Sequence, residues 1–323
     1  MDSLRIGVLG CSSFARRAML PALADVEGLR LAAVASRTAA RAEEFAWQFA
    51  CEPVEGYANL LARPDVDVVY VPLPTGLHEE WVGAAIEAGK HLLVEKSFAP
   101  DRAAAERLVE AARVRGRLVL ENFQFVHHRQ HRWVMETLNS GVLGRVRLVR
   151  ATFGFPPLPP DNFRYRADLG GGALLDLGAY MVKITRLLLG DDLVLDAATR
   201  RMNPDAGVDW YGEAQYHNGA GQVAQVAYGF DYFYQCRYEV LGTTGKLSVE
   251  RAFTPPPGFS PVVHIDRPGE RRSLTLPPDN HYANMWKHFR DRVRTGGPHE
   301  AEWSELLQQA DRLEELRTRA RPS

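Results

Sequence analysis

The sequence has little cysteine: Cys11, Cys51 and Cys236 among 323 residues. Three widely spaced thiols form neither a disulfide framework nor a zinc knuckle, and they fit a reducing cytoplasm. It has almost no net charge, -1 from 39 basic and 40 acidic residues. Dedicated nucleic-acid and membrane-surface binders carry a basic excess, so those classes drop out. A phosphate-bearing small ligand needs only a local positive site and stays allowed. No run of about 18 apolar residues occurs, so no membrane span is expected. The opening MDSLRIGVLG enters an apolar strand without the basic and then apolar lead of a signal peptide. Internal repeats and low-complexity tracts are absent.

What is present is a globular composition, 46% hydrophobic and 24% charged, in a length that suggests about two domains. Short apolar segments rich in Val and Leu predict buried strands at Leu4–Gly10, Leu29–Ser36, Val66–Pro72, His91–Glu95 and Leu118–Glu121. Helical patterns fall between them at Phe14–Ala24, Ala39–Phe49, Glu79–Ala88 and Arg102–Arg115. This alternation predicts βαβ units and a doubly wound parallel sheet over residues 1–122. From residue 123 to 323 the texture changes. A helix near 128–139 and a strand at 145–155 come first, then a glycine run that opens a long helix to about Leu189. Strands with short turns follow from Leu193 to Leu276, and two helices near 281–294 and 301–319 close the chain. Short turns join antiparallel neighbours, so the second domain reads as α+β with a mainly antiparallel sheet.

The first strand and helix are joined by Gly10-Cys11-Ser12-Ser13-Phe14-Ala15. This is the G-x-G-x-x-G/A dinucleotide pattern with Ser12 in place of its second glycine. Gly10 suits a tight turn, Ala15 close packing, and Ser12 offers a hydroxyl toward phosphate. The helix N-terminus adds free N–H groups for a pyrophosphate. The second strand ends on Ser36-Arg37, with Arg41 beyond, where an NAD-binding chain usually places Asp or Glu. A carboxylate repels a 2′-phosphate and Arg37 attracts one, so NADP(H) is favoured.

Ligands of open α/β sheets lie beyond the carboxyl ends of the strands, which puts Glu95 and Lys96 at the expected cofactor cleft. A lysine there can stabilise a developing alkoxide and donate a proton. Asp176 and Tyr180 are four apart on the helix after Gly170-Gly171-Gly172, hence on one face, and a Tyr hydroxyl is a second candidate acid. Arg164, Tyr165 and Arg166 either grip a diphosphate or belong to a solvated loop. His127, His128 and His131 cluster without a Cys or Asp to complete a metal set, and no metal is expected.

The glycine turn, Glu95-Lys96 and Gly-Gly-Gly…Asp176-Leu-Gly-x-Tyr180 resemble the glucose–fructose oxidoreductase / inositol 2-dehydrogenase family. Segments such as Tyr70-Val71-Pro72-Leu73-Pro74 and Glu121-Asn122-Phe123-Gln124 through His128 resemble its TDP-sugar 3-ketoreductases. The resemblance implies a Rossmann domain and an open-faced sheet domain that pairs subunits into dimers or tetramers. It implies NADPH-dependent reduction of a TDP-linked keto-deoxysugar at carbon 3, in natural-product biosynthesis. Lys96 and Tyr180 would then flank the keto group, with Asp176 nearby. Cofactor contacts are expected at Gly10 to Ala15, Ser36, Arg37, Arg41, Pro72, Leu73, His78, Glu95 and Lys96. Substrate contacts are expected at Asn122, Gln124, His127, His128, Arg164, Tyr165 and Arg166. The family usually follows its lysine with proline, commonly after a cis peptide; Ser97 stands there instead, and the geometry of the Lys96–Ser97 bond stays open. Two other readings compete: a dehydrogenase of a free aldose or dihydrodiol, and an inactive NADP(H)-binding regulatory protein.

Overall fold

A computed structural model describes residues 3–322. They form two compact units, one of residues up to Gln124 together with Tyr282–Ala310, the other of Phe125–His281 and the chain from Asp311 on.

The first unit is a six-stranded parallel sheet. Its strands are β1 (Leu4–Leu9), β2 (Leu29–Ser36), β3 (Glu52–Glu55), β4 (Val68–Val71), β5 (His91–Val94) and β6 (Val119–Glu121), in the order β3-β2-β1-β4-β5-β6. Helices α1 (Leu20–Ala24), α2 (Ala39–Phe49), α3 (Tyr57–Leu61), α4 (His78–Glu87) and α5 (Arg102–Arg115) connect them. β4 and β5 bury nearly every residue because both faces of the sheet are covered. One face packs on α3, α4 and α5 through Leu60, Val82, Ile86 and Leu108. The other packs on α1 and α2 through Leu23 and Phe45. The expected strands and helices are present; β3 and α3 are additions, and β3 reads Glu-Pro-Val-Glu at the sheet edge, without an apolar run.

Two later helices return to this unit, α8 (His281–Thr295) and the first half of α9 (Glu300–Arg319), as far as Ala310. Trp286 and Phe289 of α8 are fully buried on the α1/α2 side. Trp303 and Leu306 of α9 are buried on the opposite side. The units therefore do not follow a single cut at 122/123, because these apolar side chains complete both faces of the parallel sheet.

The second unit is built on nine strands. After α6 (Arg129–Asn139) come β7 (Val146–Gly154), α7 (Ala179–Leu189), β8 (Val194–Met202), β9 (Asp209–His217), β10 (Val223–Gly229), β11 (Gln235–Gly242), β12 (Lys246–Val249), β13 (Val262–Arg267) and β14 (Glu270–Thr275); β15 (Arg321–Pro322) ends the described chain. The order is β14-β13-β12-β11-β7-β10-β9-β8-β15. The β7–β10 and β8–β15 pairs are parallel and the rest antiparallel. The parallel β7–β10 pair follows from the long crossover through α7, since a tight turn joins only antiparallel strands. Burial alternates along β9, β10 and β11, the period of a sheet with one face in the core. Among the described residues no helix is long and apolar enough to cross a membrane.

Candidate active site

At the carboxyl end of β1 the chain turns on Gly10, whose φ is +108°. A Cβ there would lie 2.8 Å from Leu73 Cδ2, so glycine is needed for both space and conformation. Ser12 Oγ accepts from the Ala15 N–H at 3.0 Å. The serine in place of the motif's second glycine thus caps the helical turn Ala15–Met19 that runs into α1. Arg41 Nη2 donates to the Cys11 carbonyl at 3.0 Å, so one of its nitrogens staples α2 to the glycine turn. Ser36 is buried at the end of β2, and Arg37 stands exposed beside it. No carboxylate occupies the strand end. These residues fit a dinucleotide with a 2′-phosphate better than one with a bare ribose diol.

Tyr57 was not selected from sequence. Its hydroxyl lies 3.6 Å from the position a Gly10 Cβ would take. Its ring meets Trp81 edge-on at 5.0 Å. Burial pushes its phenol up while the charge of Arg37 pulls it down. Only the turn of the chain into α3, 47 residues after Gly10 in sequence, brings it there.

Beyond β5 the Lys96–Ser97 peptide is cis. Glu95 beside it is held by two donors on one oxygen: the Tyr70 hydroxyl and Asn122 Nδ2, each 2.6 Å from Oε1. Burial pushes the Glu95 carboxyl up, and these two hydrogen bonds and the Lys96 charge oppose it. Glu95, expected at the cofactor, is thus engaged from within its own unit. Asn122, expected at the substrate, is fully buried with its amide given to Glu95, and its Oδ1 has no hydrogen-bond partner. Gln124 is also buried, with Oε1 unpartnered. His78, expected at the cofactor, is fully buried. Its Nδ1 lies 3.0 and 3.1 Å from the Ser97 and Phe98 carbonyls and its Nε2 2.9 Å from that of Leu73. It ties the segment after β4 to the segment after Lys96, and so braces Leu73 and Lys96 from behind.

In the second unit Asp176 lies in a π-helical turn, Leu174–Gly178, that continues into α7. Such wide turns recur at functional sites. Arg164 Nε donates to Asp176 Oδ2 at 2.6 Å. Arg164, expected to meet substrate, therefore neutralises the expected catalytic carboxylate, and its guanidinium also lies over the Phe163 ring at 4.8 Å. Tyr180 is 5% exposed, with its ring set among Phe125, Phe153 and Phe253 at 5.6, 5.1 and 5.7 Å. This aromatic box fixes the ring and thereby the direction of the hydroxyl.

The other expected substrate residues divide. Tyr165 braces its loop, its hydroxyl accepting from the Leu158 N–H at 2.8 Å. Arg166 pairs with Asp168 on the surface. His128 is buried; its Nδ1 caps α6 by accepting from the Gln130 N–H at 3.1 Å, and its Nε2 has no partner. His127 is half-buried in the turn Gln124–His127. His131 lies between the Tyr238 hydroxyl and the Ala252 carbonyl, at 3.0 and 2.8 Å.

The strand order of the first unit and the glycine turn at the end of β1 define a Rossmann-type dinucleotide-binding module. With a strand-end lysine in that module and a helix carrying Asp176 and Tyr180 on the second unit, the class is a nicotinamide-dependent oxidoreductase. Residues 4–123 match the oxidoreductase family, NAD-binding Rossmann fold, and residues 131–248 match the GFO/IDH/MocA C-terminal domain. The chain belongs to the GFO/IDH/MocA oxidoreductase family. It is 45% identical over 321 residues to a dTDP-3,4-didehydro-2,6-dideoxy-alpha-D-glucose 3-reductase of Actinomadura kijaniata, covering 99% of this chain and 96% of the relative. A protein of the same name from Saccharopolyspora spinosa is 46% identical over 294 residues, covering 91% and 88%. The structure of a 3-ketoreductase from Actinomadura kijaniata in complex with NADP and TDP-benzene superposes with a TM-score of 0.97 at 43% identity, covering 99% of both chains.

Proposed function

We propose that this chain is an NADPH-dependent 3-ketoreductase of a TDP-linked keto-deoxysugar, working in the biosynthesis of a deoxysugar for an antibiotic-type natural product. The similarity to reductases named for this reaction, which extends over 99% of the chain at 45% identity, carries the reading. The glycine turn, Arg37 and the absence of a carboxylate after β2 agree with the cofactor. When bound, NADPH supplies the hydride that reduces carbon 3.

The chain's own residues then have distinct work. Lys96 holds a positive charge near the carbonyl oxygen, stabilises the alkoxide as it forms and donates the proton. Tyr180, its ring fixed by three phenylalanines, orients the carbonyl or serves as the alternative donor. Asp176, paired with Arg164, orients a sugar hydroxyl or Lys96. Grip on the distant nucleotide holds the sugar in a reactive pose. The cytoplasm is the compartment that three unpaired thiols favour. The sheet of the second unit alternates buried side chains with Arg150, Arg237, Glu239 and Lys246 on its outer face, a surface suited to pairing with a second copy in a dimer or tetramer.

The deciding experiment is a calorimetric titration with TDP in the presence of NADPH. Micromolar binding is expected. NADPH binding without any response to TDP would move the assignment to a free aldose or diol dehydrogenase, or to a cofactor-binding protein without chemistry.

A further inference from the structure

The glycine run before the Asp176/Tyr180 helix has two structural causes. A Cβ on Gly171 would lie 2.4 Å from the Arg164 carbonyl oxygen, and one on Gly172 would lie 2.4 Å from Asp209 Oδ1. Gly172 also has a φ of +113°. The second clash is the informative one. Asp209, the first residue of β9, is 6% exposed. Its Oδ2 accepts from the Leu174 N–H at 2.6 Å. Leu174 opens the π-helical turn that holds Asp176 and leads to Tyr180.

A helix N-terminus leaves N–H groups without internal partners, and a carboxylate is the strongest acceptor for them. Such caps are usually supplied by a neighbour in sequence at the helix start. Here the cap comes from a strand 35 residues downstream, and the carboxylate is buried, where a neutral acceptor would cost less desolvation. Burial pushes the Asp209 carboxyl up to about 6, opposed by the Leu174 N–H and the charge of Arg200. The groups facing it are Arg200 on β8 and the buried Tyr228 on β10.

We propose that Asp209 is a positioning residue for the reduction: its ionised carboxylate anchors the start of the helix bearing Asp176 and Tyr180, and Gly172 is glycine to admit it. This rests on the reading that Asp176 and Tyr180 serve the reaction. An ionised anchor fixes the first turn through a charge-assisted bond, and a neutral one holds it more loosely. A shift of about an ångström at Tyr180 is enough to slow a positioned proton donor by about a hundredfold.

The test compares Asp209→Asn with the unaltered chain, Lys96→Ala and Tyr180→Phe, using a TDP-linked 3-keto sugar generated in situ. Asp209→Asn keeps the side chain's shape, and a thermal melt and NADPH titration establish that it is folded. The expected result is a kcat for Asp209→Asn lowered about tenfold to a hundredfold with KM for NADPH unchanged. The kcat of the unaltered chain should fall as pH drops through about 6, and that of the variant should not. Asp209→Glu, which keeps the charge, should recover part of the loss. A folded Asp209→Asn with unaltered kcat and pH profile overturns the role of Asp209 while leaving the site reading intact, provided Lys96→Ala and Tyr180→Phe are slow. Full activity in both of those variants, or no turnover by the unaltered chain, sinks the site reading and this inference with it.

Discussion

At the end of β2 a carboxylate and a cation select different dinucleotides, and this chain presents Arg37. A charge-assisted bond to phosphate contributes roughly 1.5–3 kcal/mol. Arg37→Ala should therefore raise KM for NADPH about tenfold to a hundredfold and leave KM for NADH nearly unchanged; steady-state kinetics with both cofactors is the check, and a parallel rise in both would remove Arg37 from cofactor choice. Arg41 should matter less to discrimination, because one of its nitrogens already holds the Cys11 carbonyl. Lys96→Ala should slow single-turnover hydride transfer by about 10²–10⁴-fold, read from NADPH absorbance in stopped flow at saturating cofactor. A rate equal to that of the unaltered chain would leave Lys96 without a chemical role. Glu95, beside it, is held from inside by Tyr70 and Asn122, so its replacement should act through the position of the lysine rather than through cofactor affinity.

Elements were legible in the sequence where a local signal existed. α5 starts at Asp101, whose carboxylate accepts from the Ala104 N–H at 2.8 Å, and stops at Gly116 in the left-handed region. Both residues are the ones local capping chemistry prefers. Asp101→Ala should cost about 1 kcal/mol, visible as a lower denaturant midpoint with unchanged kcat; an unchanged midpoint would mean that the cap contributes nothing. The parallel strands were legible because short Val- and Leu-rich runs, too short for helices and alternating with helical patterns, fit strands buried on both faces. β3 was not, since Glu-Pro-Val-Glu at a sheet edge carries no periodicity. The candidate site divides the same way. Gly10, Arg37, Lys96, Asp176 and Tyr180 sit in local motifs. Tyr57 and Asp209 reach the glycine turn and the helix start from far along the chain, and no spacing announces them. His78, Asn122 and His128 stand beside motifs, yet their side chains turn inward to separate partners: His78 to buried backbone carbonyls, Asn122 to the Glu95 carboxylate and His128 to the first turn of α6.

For the whole molecule, pH is a sharp probe. His131 and His281 are buried, and desolvation drives both down to about 3, against about 6.5 when unfolded. Below pH 6.5 the unfolded chain takes up protons that the folded chain refuses, so stability falls as pH falls, by up to about 1.4 kcal/mol per pH unit for each histidine. Asp209 acts oppositely, because its folded value is raised: between its ordinary 3.8 and about 6 its contribution declines as pH rises. Glu95, also pushed up by burial, acts in the same sense as Asp209, and His91, lowered to about 4, adds to the other two histidines. The histidines outweigh the carboxylates, so the denaturation midpoint at pH 5 should lie below that at pH 7.5, and equal midpoints would contradict the buried neutral state. The return of α8 and α9 to the first unit governs how the protein is made. A ribosome releases the parallel sheet's strands first, yet Trp286, Phe289, Trp303 and Leu306, which close its two faces, emerge more than 150 residues after β6. Until then α1–α5 alone cover the sheet, and the apolar patches that these four side chains bury stay open to chaperones. A premature stop anywhere before about residue 310 yields a sticky fragment rather than an orphaned but intact cofactor domain.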